Sequence, residues 1–359
     1  MTTRPAFLAL EDGAIFAGVR IGATHDAAGE VVFTTSMTGY QEVISDPSYR
    51  GQIVVMAYPL IGNYGFSQHA WEAPGPHVAG FIVRQSSTSP SHHLSREPLD
   101  AFLSRHRVVG LAEVDTRRLV RHLRAHGLKR GVIVERADAD AVSLARALPP
   151  LHEQDLVGQV SRREIEVLSG AGPRIALMDC GVKAGIVDAL RRRGCEVVLM
   201  PHTASPDQIR AVRPDGVLVS NGPGDPAVLT PTAATVRALL GEVPLMGVCL
   251  GHQLLALALG GRTYKMKFGH RGSNQPVQEI ATGRVMVTTQ NHGYAVDPAL
   301  PDSAEVTHAN LNDGTVEGLR HRSLPVFSVQ FHPEGRPGPT DAEFLYDRFL
   351  EMIREKVRL

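Results

Sequence analysis

The sequence has 359 residues, enough for two domains with cores of their own, and 43% of it is apolar. Its 37 basic and 37 acidic side chains cancel, so no single-sign field is available to attract nucleic acid or an anionic membrane surface. Three cysteines, Cys180, Cys195 and Cys249, are too few and too unpatterned for a disulfide framework and fit a reducing, cytoplasmic compartment.

The chain reaches Glu11 and Asp12 without a long apolar core, so no signal peptide is expected. Residues 6–10 and 15–21 read as strands joined by a Glu-Asp-Gly turn at 11–13. Further β-like runs fall at 31–35, 52–58, 78–83 and 132–135, between turn-rich stretches such as Ser-Asp-Pro-Ser at 45–48. Helical periodicity appears at 98–105 and at 115–126, where Asp115 or Thr116 is a candidate cap. This half reads as a smaller mixed α+β domain without β-α-β alternation. His122 and His126 have a metal-compatible spacing, but Arg117, Arg118, Arg121 and Arg124 surround them with no carboxylate or cysteine. A solvated basic face is the expectation there, and no metal.

From 149 to 173 the sequence is polar and broken by Pro and Gly, so the domain boundary is placed there, giving domains 1–169 and 173–359. After it, strands at 175–179, 196–200, 216–220 and 245–248 alternate with helices at 183–193, 206–212 and 231–240. Such alternation predicts an α/β, doubly wound, mostly parallel sheet with ligands at the strands' C-terminal ends. Beyond Arg262 β-like runs recur at 285–290, 306–309, 316–320 and 326–331, and residues 341–356 form a terminal helix.

Residues 243–261 are the one stretch that hydropathy alone would offer as a membrane span, but Pro244, His252 and Gln253 interrupt it. It reads better as a buried strand, a sharp turn and a buried helix. Gly247-x-Cys249-x-Gly251 is the nucleophile-elbow pattern with cysteine in place of serine. The helix N-terminus that follows favours thiolate over thiol. A cysteine nucleophile needs a base and the base an orienting partner. His332-Pro-Glu334 supplies both, because alternate residues of an extended chain project to one side. A third piece, Ser-Asn-Gly-Pro-Gly-Asp-Pro at 220–226, ends a strand with a fixed turn that brings backbone N–H groups close to a ligand. It is no phosphate loop, since the Gly-x4-Gly-Lys-Ser/Thr pattern is absent from the chain. Taken singly, each piece also has an ordinary reading: a buried apolar cysteine, a loop tripeptide, a plain turn.

Together, Gly-Val-Cys-Leu-Gly-His-Gln at 247–253, the 220–226 loop and His-Pro-Glu at 332–334 resemble the class I (triad) glutamine amidotransferases. Within that class the chain is similar to the carbamoyl-phosphate synthetase small-subunit family. That likeness rests on Lys-Met-Lys-Phe-Gly-His at 265–270, Gln-Asn-His-Gly-Tyr at 290–294 and four N-terminal runs at 10–13, 35–42, 46–49 and 115–117. The resemblance implies a triad of Cys249, His332 and Glu334. It implies glutamine held by Ser48, Gly222, Gly224, Leu250, Gln253, Asn291, Gly293 and Tyr294, with Leu250 and Gly222 as oxyanion donors. Members often carry Phe where this chain has Tyr294, a change that a backbone and ring-face contact accommodates. It further implies a large-subunit partner, in a heterodimer or a higher oligomer of heterodimers. There ATP, Mg and bicarbonate meet the ammonia, and carbamoyl phosphate for arginine and pyrimidine synthesis results. No cofactor is expected on this chain. A stand-alone amidase or cysteine peptidase would lack the N-terminal motifs, and a non-catalytic regulatory subunit would lack the triad.

Overall fold

The computed structural model describes residues 4–357. The chain divides into two compact units, 1–154 and 155–359. The expected linker is largely ordered: Glu166–Leu168 lies antiparallel on Glu196–Pro201, so the segment from 155 onward belongs to the second unit.

The first unit closes a seven-stranded barrel, which the sequence reading did not anticipate. Around it run Pro5–Leu10, Ile15–Gly22, Val109–Ala112, Gly80–Ile82, Gln52–Met56, Ala27–Thr34 and Lys129–Val134. Closure removes the exposed edges a small open sheet would carry. The first two strands form the expected hairpin, with Gly13 at φ 92° in its turn. Helix Leu99–Arg105 and the short helix Tyr40–Ser45 share one apolar cluster with the barrel, in which Phe66 stacks on Phe102. Asp115 caps helix Thr116–His126 by accepting from Arg118 N at 2.9 Å. On that helix His122 Nε2 bonds Asp12 Oδ2 at 2.7 Å.

The second unit carries a ten-stranded sheet. From one edge it runs Glu166–Leu168, Glu196–Pro201, Arg174–Asp179, Gly216–Val219, Leu245–Val248, Val326–Val329, Val316–His321, Val285–Val296, Thr263–Glu279 and Ala304–Asn310. The five strands from Glu196–Pro201 to Val326–Val329 are parallel, and the rest pair antiparallel. The sheet is therefore not mostly parallel as expected: the parallel run spans the second to sixth strands, and the β-rich segment beyond Arg262 extends it with an antiparallel half. Alternate residues of the parallel strands feed two cores, as burial on both faces requires. Ile175 and Leu177 pack with helices Ala184–Arg192 and Phe344–Val357. Ala176 and Met178 pack with helices Pro206–Ala211, Thr230–Ala238 and Leu250–Ala258. No described helix is long and apolar enough to cross a membrane.

Candidate active site

Strand Leu245–Val248 is buried along its whole length between two parallel neighbours, and its chain continues directly into helix Leu250–Ala258. The joint is Cys249, at φ 56° and ψ −104°. Both flanking glycines are sterically dictated. A Cβ on Gly247 would meet Gly251 O at 2.5 Å, and one on Gly251 would meet Val219 O at 2.0 Å. Helix and strand therefore approach closer than any side chain allows, and the cysteine is held at the helix N-terminus beyond the strand's C-terminal end.

Two other segments converge on that sulfur. Asn291, in strand Val285–Val296, offers its carbonyl oxygen 3.6 Å from Cys249 Sγ. Gln330, just past strand Val326–Val329, donates from Nε2 to Sγ at 3.6 Å. His332 follows two residues later, its backbone N–H donating to Thr289 O at 2.9 Å. His332 Nδ1 bonds Glu334 Oε1 at 2.7 Å. Its other ring nitrogen, Nε2, is buried without a hydrogen-bond partner among the described residues.

Two residues that sequence reasoning missed complete the carboxylate's surroundings. Lys183 Nζ lies 3.1 Å from Glu334 Oε1, and the Tyr346 hydroxyl donates to Glu334 Oε2 at 3.2 Å. Lys183 is almost wholly buried and occupies the N-cap position of helix Ala184–Arg192 without a side-chain cap bond. A signal for it was present, since a lysine at a helix N-terminus opposes the helix dipole and needs another reason to be there. Tyr346 left none, being one apolar-looking position of a terminal helix.

The electrostatics follow from these contacts. Burial opposes charge on Glu334, but Lys183 and His332 overcome it and hold the carboxyl far below the usual range. Burial also opposes a charged His332, yet the Glu334 carboxylate, with a smaller contribution from the Cys249 thiol, pushes it up to about 10. The ring can therefore carry a thiol's proton at neutral pH. Burial instead pushes the Cys180 and Cys195 thiols up, away from reactivity.

The other expected ligand residues divide by unit. Gly222 and Gly224 occupy the loop after strand Gly216–Val219, with Gly224 at φ 89°. A Cβ on Gly222 would lie 2.8 Å from the Leu250 side chain, so that loop sits against the start of the Cys249 helix. The loop is tied down by Asn221, which accepts from Lys183 N and donates to Gly181 O. Gln253 Nε2 donates to Tyr294 O, placing Leu250, Gln253, Asn291, Gly293 and Tyr294 in one region around the sulfur. Ser48 belongs to the first unit, in the 3-10 turn Pro47–Tyr49, where its N–H donates to Asp46 Oδ1 at 2.9 Å.

One cluster has metal-ligand composition: His270, His292 and Glu317, with ligand atoms within 4.8 Å of one another. Its imidazole nitrogens are already engaged. His270 meets Asp313 and Glu317, and His292 meets Tyr294 O and the Gln290 amide.

Comparison with known proteins matches family models in both units. Residues 176–352 match the family model "Glutamine amidotransferase class-I", and residues 8–133 match "Carbamoyl-phosphate synthase small chain, CPSase domain". The carbamoyl phosphate synthase small chain of Bacillus caldolyticus is 50% identical, covering 97% of this chain and 96% of its own. That of Methanopyrus kandleri is 49% identical, over 98% and 99%. The pyrimidine-specific small chain of Bacillus subtilis is 47% identical, over 96% and 95%. With a strand–cysteine–helix joint, a buried histidine–glutamate pair beside it and full-length identity near one half, the chain belongs to the carbamoyl-phosphate synthase small-chain family.

Proposed function

We propose that this chain hydrolyses L-glutamine to glutamate and ammonia and passes the ammonia to a large synthetase subunit. The observation that carries the reading is Cys249 at φ 56° on a nucleophile elbow, with the His332–Glu334 pair at 2.7 Å beside it. The thiolate attacks the side-chain amide carbon, and the carbonyl electrons move onto oxygen. The N–H groups of Leu250 and Gly222 stabilise that oxyanion. His332 gives its proton to the departing nitrogen, leaving a γ-glutamyl thioester, then takes one from the water that hydrolyses it. Glu334, kept anionic by Lys183, holds the ring and offsets its charge. Gly222, Gly224, Leu250, Gln253, Asn291, Gly293 and Tyr294 hold the glutamine.

No cofactor takes part on this chain. ATP and Mg act on the partner, where ammonia joins bicarbonate to form carbamoyl phosphate for arginine and pyrimidine synthesis. The test is Cys249→Ser in the complex reconstituted with the large subunit. Glutamine-dependent synthesis is expected to vanish while synthesis from added ammonia persists. Undiminished glutamine turnover in that variant would sink the reading, and loss of both activities would place Cys249 in assembly instead.

A further inference from the structure

The Cys249 sulfur has a second polar neighbour besides His332, and the chemistry of that neighbour can be fixed from a backbone atom outward. Tyr294 O is a carbonyl and only accepts, so the Gln253 atom 3.0 Å from it is the amide nitrogen. That nitrogen's second hydrogen points to Gln330, also at 3.0 Å, so Gln330 presents its oxygen there. Gln330 must then turn its own NH2 group toward Cys249 Sγ, 3.6 Å away. A reversed amide would set two donors against each other at Gln253. Gln330 is completely buried and Gln253 nearly so, and a buried amide in that environment must find partners for its polar atoms.

A neutral thiol is a weak acceptor, whereas a thiolate receives a charge-assisted hydrogen bond. We propose that Gln330 is a further catalytic residue, an amide donor that stabilises the Cys249 thiolate and is held in that orientation by Gln253. The proposal rests on the glutaminase reading above. His332 alternates between charged and neutral as it gives and takes protons, but an amide donor never loses its hydrogen. Gln330 therefore supports the sulfur twice. It does so before attack, while the sulfur is anionic, and again when water has added and the S–C bond breaks, releasing thiolate. Gln253, with both hydrogens committed, has only its oxygen to offer a ligand, so it accepts from a donor of the bound glutamine.

The full-length chain tests this through the pH dependence of Cys249 alkylation by iodoacetamide, followed by peptide mass mapping, together with glutaminase pH profiles. Gln330→Glu keeps an acceptor for Gln253 but sets a carboxylate against the sulfur. Gln330→Met removes both bonds. The alkylation midpoint is expected to rise by about one pH unit in Gln330→Met, the size of one charge-assisted hydrogen bond, and further in Gln330→Glu. At pH 7 kcat/KM should fall about tenfold or more and recover as pH rises. A purely structural role would lower stability and leave the midpoint where it is, which overturns the proposal. If neither variant folds, Gln253→Met frees the Gln330 amide to turn, and an unshifted midpoint there overturns it equally. Cys249→Ser separates the two claims. Undiminished glutamine hydrolysis in that variant defeats the glutaminase reading itself, whereas a dead Cys249→Ser beside unshifted Gln330 profiles defeats only the role of Gln330.

Discussion

Two buried histidines of the second unit pair directly with glutamates among the described residues, and the pairs differ in what the second ring nitrogen meets. His332 bonds Glu334 through Nδ1 at 2.7 Å and leaves Nε2 without a partner among the described residues, beside a thiol. His270 meets Glu317 through Nδ1 at 3.3 Å and Asp313 through Nε2 at 2.9 Å, so both nitrogens are spent. Both rings are pushed up from their ordinary value despite burial, His270 by Glu317 and Asp313. Charge therefore does not distinguish them. What does is the nitrogen left over: a proton shuttle needs one ring atom tied and one available, while a ring tied at both ends is a strut.

The sharpest way to break this comparison is to remove the shuttle. His332→Asn is expected to lower glutamate release about 10²–10⁴-fold, the range of general acid–base catalysis. Glu334→Gln, which keeps a hydrogen-bonding group but loses the charge, should be impaired yet measurable. The reverse order in a glutaminase assay would mean that the two roles are exchanged. The strut should instead answer in stability. Glu317→Gln strands the His270 charge and is expected to cost roughly 3 kcal/mol in urea unfolding at pH 6, with little change in kcat. The sign follows from linkage. His270 is raised in the folded chain, so its stabilisation is full below the unfolded value of about 6.5 and fades as pH rises through the folded one. The groups facing it are Asp313, Glu317 and His292, with Asn310 bonded to Glu317 at 2.9 Å. A gap between variant and wild type that widened toward pH 9 would contradict the assignment.

Much of this was legible from sequence wherever the signal was local. Strands 175–179, 216–220 and 245–248 announce themselves because burial on both faces makes them continuous apolar runs. Cys249, its two glycines and the His332–Glu334 spacing are each contained within a few residues. What escaped depends on distant pairing. Lys183 reaches Glu334 across 151 positions and Tyr346 comes from the terminal helix, so no window holds them together. The long strand Thr263–Glu279 hid because polar residues fill both its faces and its ladder slips twice, between Lys265 and His270 and between Gly272 and Gln275. Barrel closure in the first unit joins Ala27–Thr34 to Lys129–Val134, a pairing without any periodic signature. The helix Tyr40–Ser45 contains Val43 and Ile44 and follows no cap hydrogen bond, so tertiary burial rather than propensity makes it.

The left-handed backbone at Cys249 also bears on how this protein can be engineered. At φ 56° and ψ −104° a side chain costs the fold roughly 1–3 kcal/mol relative to glycine. Selection for thermal resistance alone would therefore drift toward a glycine at 249 and discard the proposed nucleophile in doing so. A thermostabilisation campaign scored only on melting temperature would reward its own inactive variants, and position 249 should be frozen before any such library is made.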